Sequence, residues 1–137
     1  MGLFSGTRPD NLGVKEGRLA PCKPTPNCVS SFADKASDRD HHIEPFRFEG
    51  DANAAFAKLT DLVRESGRAT IVREEPGYLY AEFRSKVMGF VDDVEFLLDP
   101  AARTIHVRSA SRLGRRDFGV NRERIESLRT GFAATHP

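Results

Sequence analysis

The chain has 137 residues with an apolar fraction of 39% and a charged fraction of 30%, which fits one globular domain rather than a disordered chain. No apolar run reaches the roughly 18 residues of a membrane-spanning helix, and residues 1–6 lack the charged and apolar regions of a signal peptide. We therefore expect a single soluble domain in the cytoplasm.

The net charge of +1 hides an uneven distribution along the chain. Residues 1–100 have more acidic than basic side chains, whereas residues 101–130 have eight arginines, no lysine and three acidic side chains. A guanidinium binds a carboxylate or a phosphate through two parallel hydrogen bonds. The arginines therefore either pair with the acidic part of the chain or form an anion-binding site. They are Arg103, Arg108, Arg112, Arg115, Arg116, Arg122, Arg124 and Arg129.

The N-terminal part of the chain has no regular pattern. Residues 1–20 are predicted to form a flexible tail and residues 21–50 an irregular arm, because prolines interrupt any helix or strand there. These prolines are Pro9, Pro21, Pro24, Pro26 and Pro45. Apolar side chains of the arm can anchor it, so we expect it to wrap over the folded part. The anchors are Val29, Phe32, Ile43, Phe46 and Phe48.

Two helices are predicted from apolar side chains that recur at helical spacing. The first covers residues 51–66, where Asp51 can cap the first turn and Gly67 suits the end. The second covers residues 120–133, and its apolar stripe consists of Ile125, Leu128 and Phe132.

Four strands are predicted between the helices, within residues 69–110. Pro76 and Gly77 predict a turn between the first two strands, because proline presets φ and glycine supplies a positive φ. Alternation then places Leu79, Ala81 and Phe83 on one face of the second strand.

The last two strands are predicted to form a hairpin closed by residues 99–102. That loop pairs Phe96 with Ile105 on one face, and it pairs Asp93 with Arg108 on the other, so apolar side chains meet and acid meets base. The same register pairs Val94 with Val107 and Glu95 with His106. Grouped strands with a helix at each end predict an α+β fold, in which an antiparallel four-stranded meander has its helices on one face.

Two cysteines and two histidines of the arm lie close together in sequence. Cys22 and Cys28 have five residues between them, unlike the short spacing of zinc knuckles. They either form a disulfide, as in an oxidising compartment, or remain thiols. His41 and His42 could complete a zinc site with them on an irregular loop. We favour the structural role of the cysteines, because adjacent histidines in a strand point to opposite faces.

Three acidic residues lie within the third predicted strand. Asp93 and Glu95 share its outer face, whereas Asp92 points toward the core or its rim. A buried carboxylate must be paired, hydrogen-bonded or neutral. The acids therefore either pair with Arg84 and Arg108, or one of the aspartates is a general acid or base with a shifted pKa.

Residues 108–122 run from a strand end through a glycine-containing loop into a helix start. Such a junction gathers backbone N–H groups and guanidiniums, which suits an anion. The segment has neither the P-loop nor the dinucleotide-binding pattern. Nucleic acid is not the expected ligand, because only Phe118 lies among these arginines and the basic excess is small.

Three segments carry a likeness to a known family: residues 26–31, residues 83–85 with 89–96, and residues 108–112 with 117–122. They resemble an uncharacterised family, the domain of unknown function numbered 1499, and the likeness extends over about residues 20–130. The family is widespread in bacteria and plastids, and it implies no particular reaction. The resemblance does imply that the polar residues of these motifs line a shared pocket. The predicted pocket residues are Arg84, Asp92, Asp93, Arg108, Ser109, Arg112, Asp117, Asn121 and Arg122.

These observations predict a binding or accessory domain, with a groove between the sheet, the arginine-rich loop and the N-terminal arm. The groove would hold a small anion or an acidic segment of a partner. Arg108, Arg112 and Arg122 would bind the anion, and Asp92, Asp93 and Asp117 would orient the arginines. One alternative is a hydrolase or lyase that uses Asp92 or Asp93 as acid or base, with arginines stabilising negative charge. The other is the metal site of Cys22, Cys28, His41 and His42.

Overall fold

The computed structural model describes residues 4–86 and 88–135. Within these residues the chain forms six strands and two helices. The strands are β1 (Cys28–Ser30), β2 (Phe46–Arg47), β3 (Ala69–Glu75), β4 (Tyr78–Arg84), β5 (Val91–Asp99) and β6 (Thr104–Ser111), and the helices are α1 (Ala52–Glu65) and α2 (Val120–Thr135).

All six strands belong to one antiparallel sheet of order β1-β6-β5-β4-β3, in which β2 also pairs with β6. Strands β3 to β6 follow one another as neighbours, so the α+β class and the antiparallel sheet are confirmed. The predicted count of four strands is too low, because two short segments of the arm pair with β6. These pairings give partners to backbone groups that would otherwise form an open sheet edge.

The predicted register of the last hairpin is wrong by two residues. Phe96 pairs with Val107 and Asp93 with Ala110, because the hairpin loop consists of residues 100–103 instead of 99–102. Arg103 closes this loop in the left-handed region, at φ 55°. A shift of two residues leaves every side chain on its predicted face, so the division into inner and outer faces is unaffected.

Both helices pack against the inner face of the sheet, where the main apolar core lies. Asp51 caps α1 as predicted, since its carboxylate accepts a hydrogen bond from the N–H of Ala54 at 2.8 Å. The arm wraps into the same core. Its buried side chains there are Val29, Ile43, Phe46 and Phe48. Neither helix of the described residues is both long and apolar enough to cross a membrane.

Residues 4–21, the N-terminal segment, lie across the outer face of the sheet. The sequence predicts a flexible tail for residues 1–20, whereas Leu19 is buried here against Tyr78 and Tyr80. The backbone N–H of Gly13 donates to Glu95 at 2.7 Å. The described residues therefore form three layers, with the helices on one side of the sheet and the N-terminal segment on the other.

Candidate functional site

The predicted site residues separate into two clusters on opposite faces of the sheet, so they do not form one pocket. The alternation of β5 places Asp93 on the outer face and Asp92 on the inner face. Arg122 lies outside both clusters, and its Nη2 donates to the backbone carbonyl of Asp40 at 3.2 Å. The outer cluster contains Asp93, Arg108 and Arg112, and the inner cluster contains Asp92, Ser109, Asp117 and Asn121.

Asp93 and Arg112 form the centre of the outer cluster. Arg112 donates from Nε to Oδ2 of Asp93 at 3.1 Å and from Nη2 to Oδ1 at 2.6 Å. The Tyr80 hydroxyl donates to the same Oδ1 at 2.5 Å, and Asp93 is only 1% exposed. The hydrogen bonds to Asp93 raise the pKa of Arg112. Since both oxygens of Asp93 accept hydrogen bonds beneath the surface, its role here is to hold Arg112.

Arg108 and Glu95 form a second pair on the outer face, and both side chains are buried. Their closest charged atoms, Nη1 and Oε1, are 4.0 Å apart, and Tyr78 donates its hydroxyl to Oε2 of Glu95 at 2.5 Å. Burial lowers the pKa of Arg108, whose Nη2 donates to the carbonyl of Pro21 at 3.3 Å. The predicted pairs of Asp93 with Arg108 and of Glu95 with His106 are therefore wrong, and Arg108 is enclosed by the protein.

A cleft of about 540 Å³ opens between the N-terminal segment and the outer cluster. Gly6 lies on one side at φ 72°, and a Cβ there would approach Cδ of Arg112 to 3.0 Å, so only glycine fits without a shift. We call this space the arginine cleft. It is lined by Ser5, Gly6, Thr7, Arg8, Glu82, Arg84 and Arg112.

Positive charge exceeds negative charge around the arginine cleft. Glu82 is shared by two guanidiniums, since Arg8 reaches its Oε2 at 2.7 Å and Arg112 reaches the same atom at 2.9 Å. Arg84 is exposed, and within the described residues its guanidinium has no hydrogen bond or ion pair. With Asp93 behind Arg112, three arginines thus face two carboxylates.

Glu82 remains ionised in this arrangement. Burial raises its pKa, but the hydrogen bonds from Arg8 and Arg112 outweigh this effect, so the pKa of Glu82 lies below its ordinary value. Sequence reasoning missed Arg8 and Glu82. The alternation of β4 places Glu82 on the outer face with Tyr80, which is the signal that could have indicated it.

Asp92 and Arg124 pair at 2.7 Å between β5 and α2, within the inner cluster. Burial raises the pKa of Asp92 despite this pairing. Arg124 also lies over the ring of Phe83 at 4.9 Å. Arg124 is one of the eight arginines noted in the sequence, but it is not among the predicted pocket residues. Its position three residues after Asn121 could have indicated that it belongs to the inner cluster, because that spacing puts both side chains on one face of a helix.

Asp117 and Asn121 fix the start of α2. The carboxylate of Asp117 accepts hydrogen bonds from the backbone N–H of Gly119 at 2.9 Å and of Asn121 at 3.0 Å. Burial acts to raise the pKa of Asp117, but these bonds lower it overall. Oδ1 of Asn121 in turn accepts a hydrogen bond from the hydroxyl of Ser109 at 2.6 Å. These residues connect the helix to the sheet.

A second cavity, of about 340 Å³, lies beside Asp92 at the end of the sheet. Ser111 and Asp117 add polar groups to its lining. The other lining residues are Ser85, Phe90, Val91, Leu113, Gly114, Arg116, Phe118 and Val120.

The four residues of the predicted metal site are engaged elsewhere. Cys22 and Cys28 form a disulfide. His41 bonds to Asp38 and to the carbonyl of Thr25, and His42 bonds to Glu44 and to the carbonyl of Ala33. Among residues 4–86 and 88–135, no group of three or more histidine, cysteine or acidic residues is placed to hold a metal ion. The zinc-site alternative is therefore not supported.

A family model for DUF1499, described as a protein of unknown function, matches residues 18–132. The chain belongs to the DUF1499 family. The match includes both polar clusters and the sheet side of the arginine cleft, whereas Ser5, Gly6, Thr7 and Arg8 precede it. A search of curated proteins found no match to this DUF1499 chain, and a search of solved structures found none.

Proposed function

We propose that this DUF1499 protein is a binding domain whose arginine cleft holds a small anion with a carboxylate or phosphate group. The observation that carries the proposal is the guanidinium of Arg84, which is exposed and unpaired within the described residues while Arg8 and Arg112 share Glu82 beside it. An anion in the cleft would balance the excess positive charge.

The cleft has the size and rigidity that such a ligand needs. Its volume of about 540 Å³ is within the usual range for small-molecule sites. Asp93 and Tyr80 hold Arg112 in place before any ligand arrives. A guanidinium that is already fixed loses little conformational entropy on binding, which favours affinity.

The same cleft also suits an acidic segment of a partner protein, which presents the same carboxylates. The two ligands differ in reach, because a peptide would extend beyond the cleft along the N-terminal segment. The proposal therefore includes a small anion and an acidic peptide segment. The size of the ligand that binds most tightly distinguishes the two.

Thermal unfolding with added anions tests the proposal. Phosphate, citrate and a short glutamate peptide should each be compared with sodium chloride at equal ionic strength. A ligand present at 100 times its Kd should stabilise the protein by about 2.7 kcal/mol. Arg84→Gln should remove this gain, whereas Arg39→Gln, which changes an exposed arginine remote from the cleft, should retain it. Equal gains in both variants would refute the proposal.

A second candidate function is acid–base catalysis at Asp92, as in a hydrolase or lyase. Burial raises the pKa of Asp92, and the carboxylate lines the 340 Å³ cavity beside Ser111. A carboxylic acid that stays protonated at higher pH can donate a proton to a leaving group. Arg124, at 2.7 Å, could stabilise negative charge that develops nearby.

Hydrolysis of alkyl esters of carboxylic and phosphoric acids, whose alkoxide leaving groups need a proton, would test this candidate. Asp92→Asn should reduce the rate by about 100-fold or more, and it should abolish the loss of rate at high pH that the deprotonation of a general acid causes. Asp10→Asn, which alters an exposed carboxylate of the N-terminal segment, is the control and should keep the full rate. The absence of turnover in the unaltered protein would remove the candidate.

The cytoplasmic location stays a prediction. A disulfide persists more readily in an oxidising compartment than in the cytoplasm. The state of Cys22 and Cys28 in protein isolated from its own cells therefore bears on the location, and the bonded pair favours an oxidising compartment.

A further inference from the structure

Exposed apolar side chains are concentrated on two neighbouring loops and on the adjoining first residue of α2. The described residues of these loops are 85–86 with 88–90, and 112–119. Phe118 is 91% exposed, and the other four are between 38% and 47% exposed. Among the described residues, Val14 is the other large apolar side chain with comparable exposure. We call the five the apolar patch: Met88, Phe90, Leu113, Phe118 and Val120.

The apolar patch surrounds one opening of the surface. Phe90, Leu113, Phe118 and Val120 all line the 340 Å³ cavity. Met88 belongs to the same loop as Phe90. Contiguous exposed apolar surface is uncommon on a folded protein and marks a place where something else is bound.

Phe118 adopts a backbone conformation that its side chain disfavours. Its φ is 53°, in the left-handed region that asparagine and glycine populate far more readily than an aromatic residue. The ring gains almost no burial within the chain in return. A strained and exposed aromatic residue points to a role outside the fold.

Basic side chains flank the apolar patch. Lys86, Arg115 and Arg116 are exposed, and in the described part of the chain their side chains have no hydrogen bond or ion pair. The one acidic residue of these loops, Asp117, is occupied with the start of α2. The surroundings of the apolar patch are therefore positively charged. A surface that complements the patch would be negatively charged outside and apolar inside.

We propose that these two loops dock the protein on the surface of a bilayer that contains anionic lipids. Phe118 and Leu113 enter the boundary between headgroups and acyl chains, where aromatic and aliphatic side chains are stabilised. Lys86, Arg115 and Arg116 contact the lipid phosphates. A bilayer supplies both halves of the required surface at once, and this inference does not depend on the arginine cleft.

The absence of tryptophan from the chain makes a direct test possible. Phe118→Trp introduces a single reporter, which should shift its emission to the blue when vesicles of phosphatidylcholine and phosphatidylglycerol are added. Vesicles of phosphatidylcholine alone should bind on the order of 100-fold more weakly, because three basic side chains lose their partners. Val14→Trp places the same reporter in a surface groove formed by residues 10–21, and its emission should not change.

Co-sedimentation of the unaltered protein with the same vesicles shows whether the protein binds them without the introduced tryptophan. Arg115→Gln combined with Arg116→Gln should weaken binding roughly 30-fold. Phe118→Asn should also weaken it while the protein stays folded, because asparagine tolerates the left-handed conformation.

Three results would overturn the proposal. The first is unchanged emission of Phe118→Trp with phosphatidylglycerol vesicles. The second is equal binding to both kinds of vesicle. The third is a blue-shifted emission without lipid together with a doubled mass in analytical ultracentrifugation, since a second copy of the chain would then cover the patch.

Discussion

The hydroxyl of Tyr80 donates to Oδ1 of Asp93 at 2.5 Å, and Nη2 of Arg112 reaches the same oxygen at 2.6 Å. A carboxylate this deeply buried is stable only if donors surround it. Asp93 in turn fixes the direction of Arg112, which forms a wall of the arginine cleft. Tyr80 therefore helps to position Arg112 mainly through Asp93, which lies between them.

Tyr80→Phe should destabilise the protein by about 2 kcal/mol, because it removes one donor from a buried charge and leaves the ring in place. Urea unfolding of the variant measures this loss. The same change in an Asp93→Asn background should cost much less, and the difference gives the coupling between the two side chains. A loss below about 0.5 kcal/mol in the original background would contradict the assigned hydrogen bond.

Acidification should release the N-terminal segment through Glu82. The pKa of this carboxyl is lower in the folded chain than in the unfolded chain, so its contribution to stability is complete above the ordinary pKa of 4.5. The contribution is lost as the pH falls from that value through the lowered pKa of Glu82. Protection of the amides in residues 4–21 against hydrogen exchange, expressed relative to the intrinsic exchange rate at each pH, should be lost as the pH falls from 7 to 3.

The matched variant for that experiment is Glu82→Gln. It lacks the titrating carboxyl, so its N-terminal segment should be less protected from exchange at pH 7, and its protection should depend less on pH. If both proteins had the same pH dependence, the pairing of Arg8 with Glu82 would not be what holds the segment.

Asp117→Ala should destabilise the protein by about 1 kcal/mol at pH 7, because α2 loses its capping side chain. The pKa of Asp117 is lowered in the folded state, so the difference between variant and original should shrink as the pH falls below 3.8. Thermal unfolding at a series of pH values checks this. Asp117→Asn preserves the capping geometry and should retain most of the stability; a loss equal to that of alanine would argue against the cap.

Cys22→Ser should destabilise the protein by about 2 kcal/mol, because the disulfide closes a short loop and restricts the unfolded chain. Denaturant unfolding with and without reductant should show a difference for the original protein and none for the variant. Mass spectrometry after alkylation under denaturing conditions provides the complementary test. Two alkylated thiols in unreduced protein would show that the bond is absent.

The local elements could be predicted because short-range chemistry determines them. Pro76 and Gly77 form the turn between β3 and β4, with Gly77 at φ 76°, and Asp51 caps α1. The register of the β5–β6 hairpin could not be predicted in the same way. Loops of residues 99–102 and 100–103 both keep apolar side chains on one face, and the choice depends on Arg103 in a conformation that arginine seldom adopts.

The sequence indicates single residues of the candidate site but not their partners. Asp93 and Arg112 were both recognised, yet Asp93 was assigned to Arg108 because the assumed register was wrong. Arg8 was missed because it lies 74 residues from Glu82 in a segment whose composition is typical of a tail. Contacts over such separations depend on the packing of the whole chain, which local sequence patterns do not contain.

The two walls of the arginine cleft come from different parts of the chain, one from the N-terminal segment and the other from the sheet and the loop after it. Arg84 and Arg112 belong to the region that the DUF1499 match covers, whereas Gly6 and Arg8 precede residue 18, where the match begins. A change of sequence before residue 18 would therefore reshape one wall of the cleft while the sheet and its core stay the same. The shape and charge of that wall can thus differ between chains that share the same sheet and core.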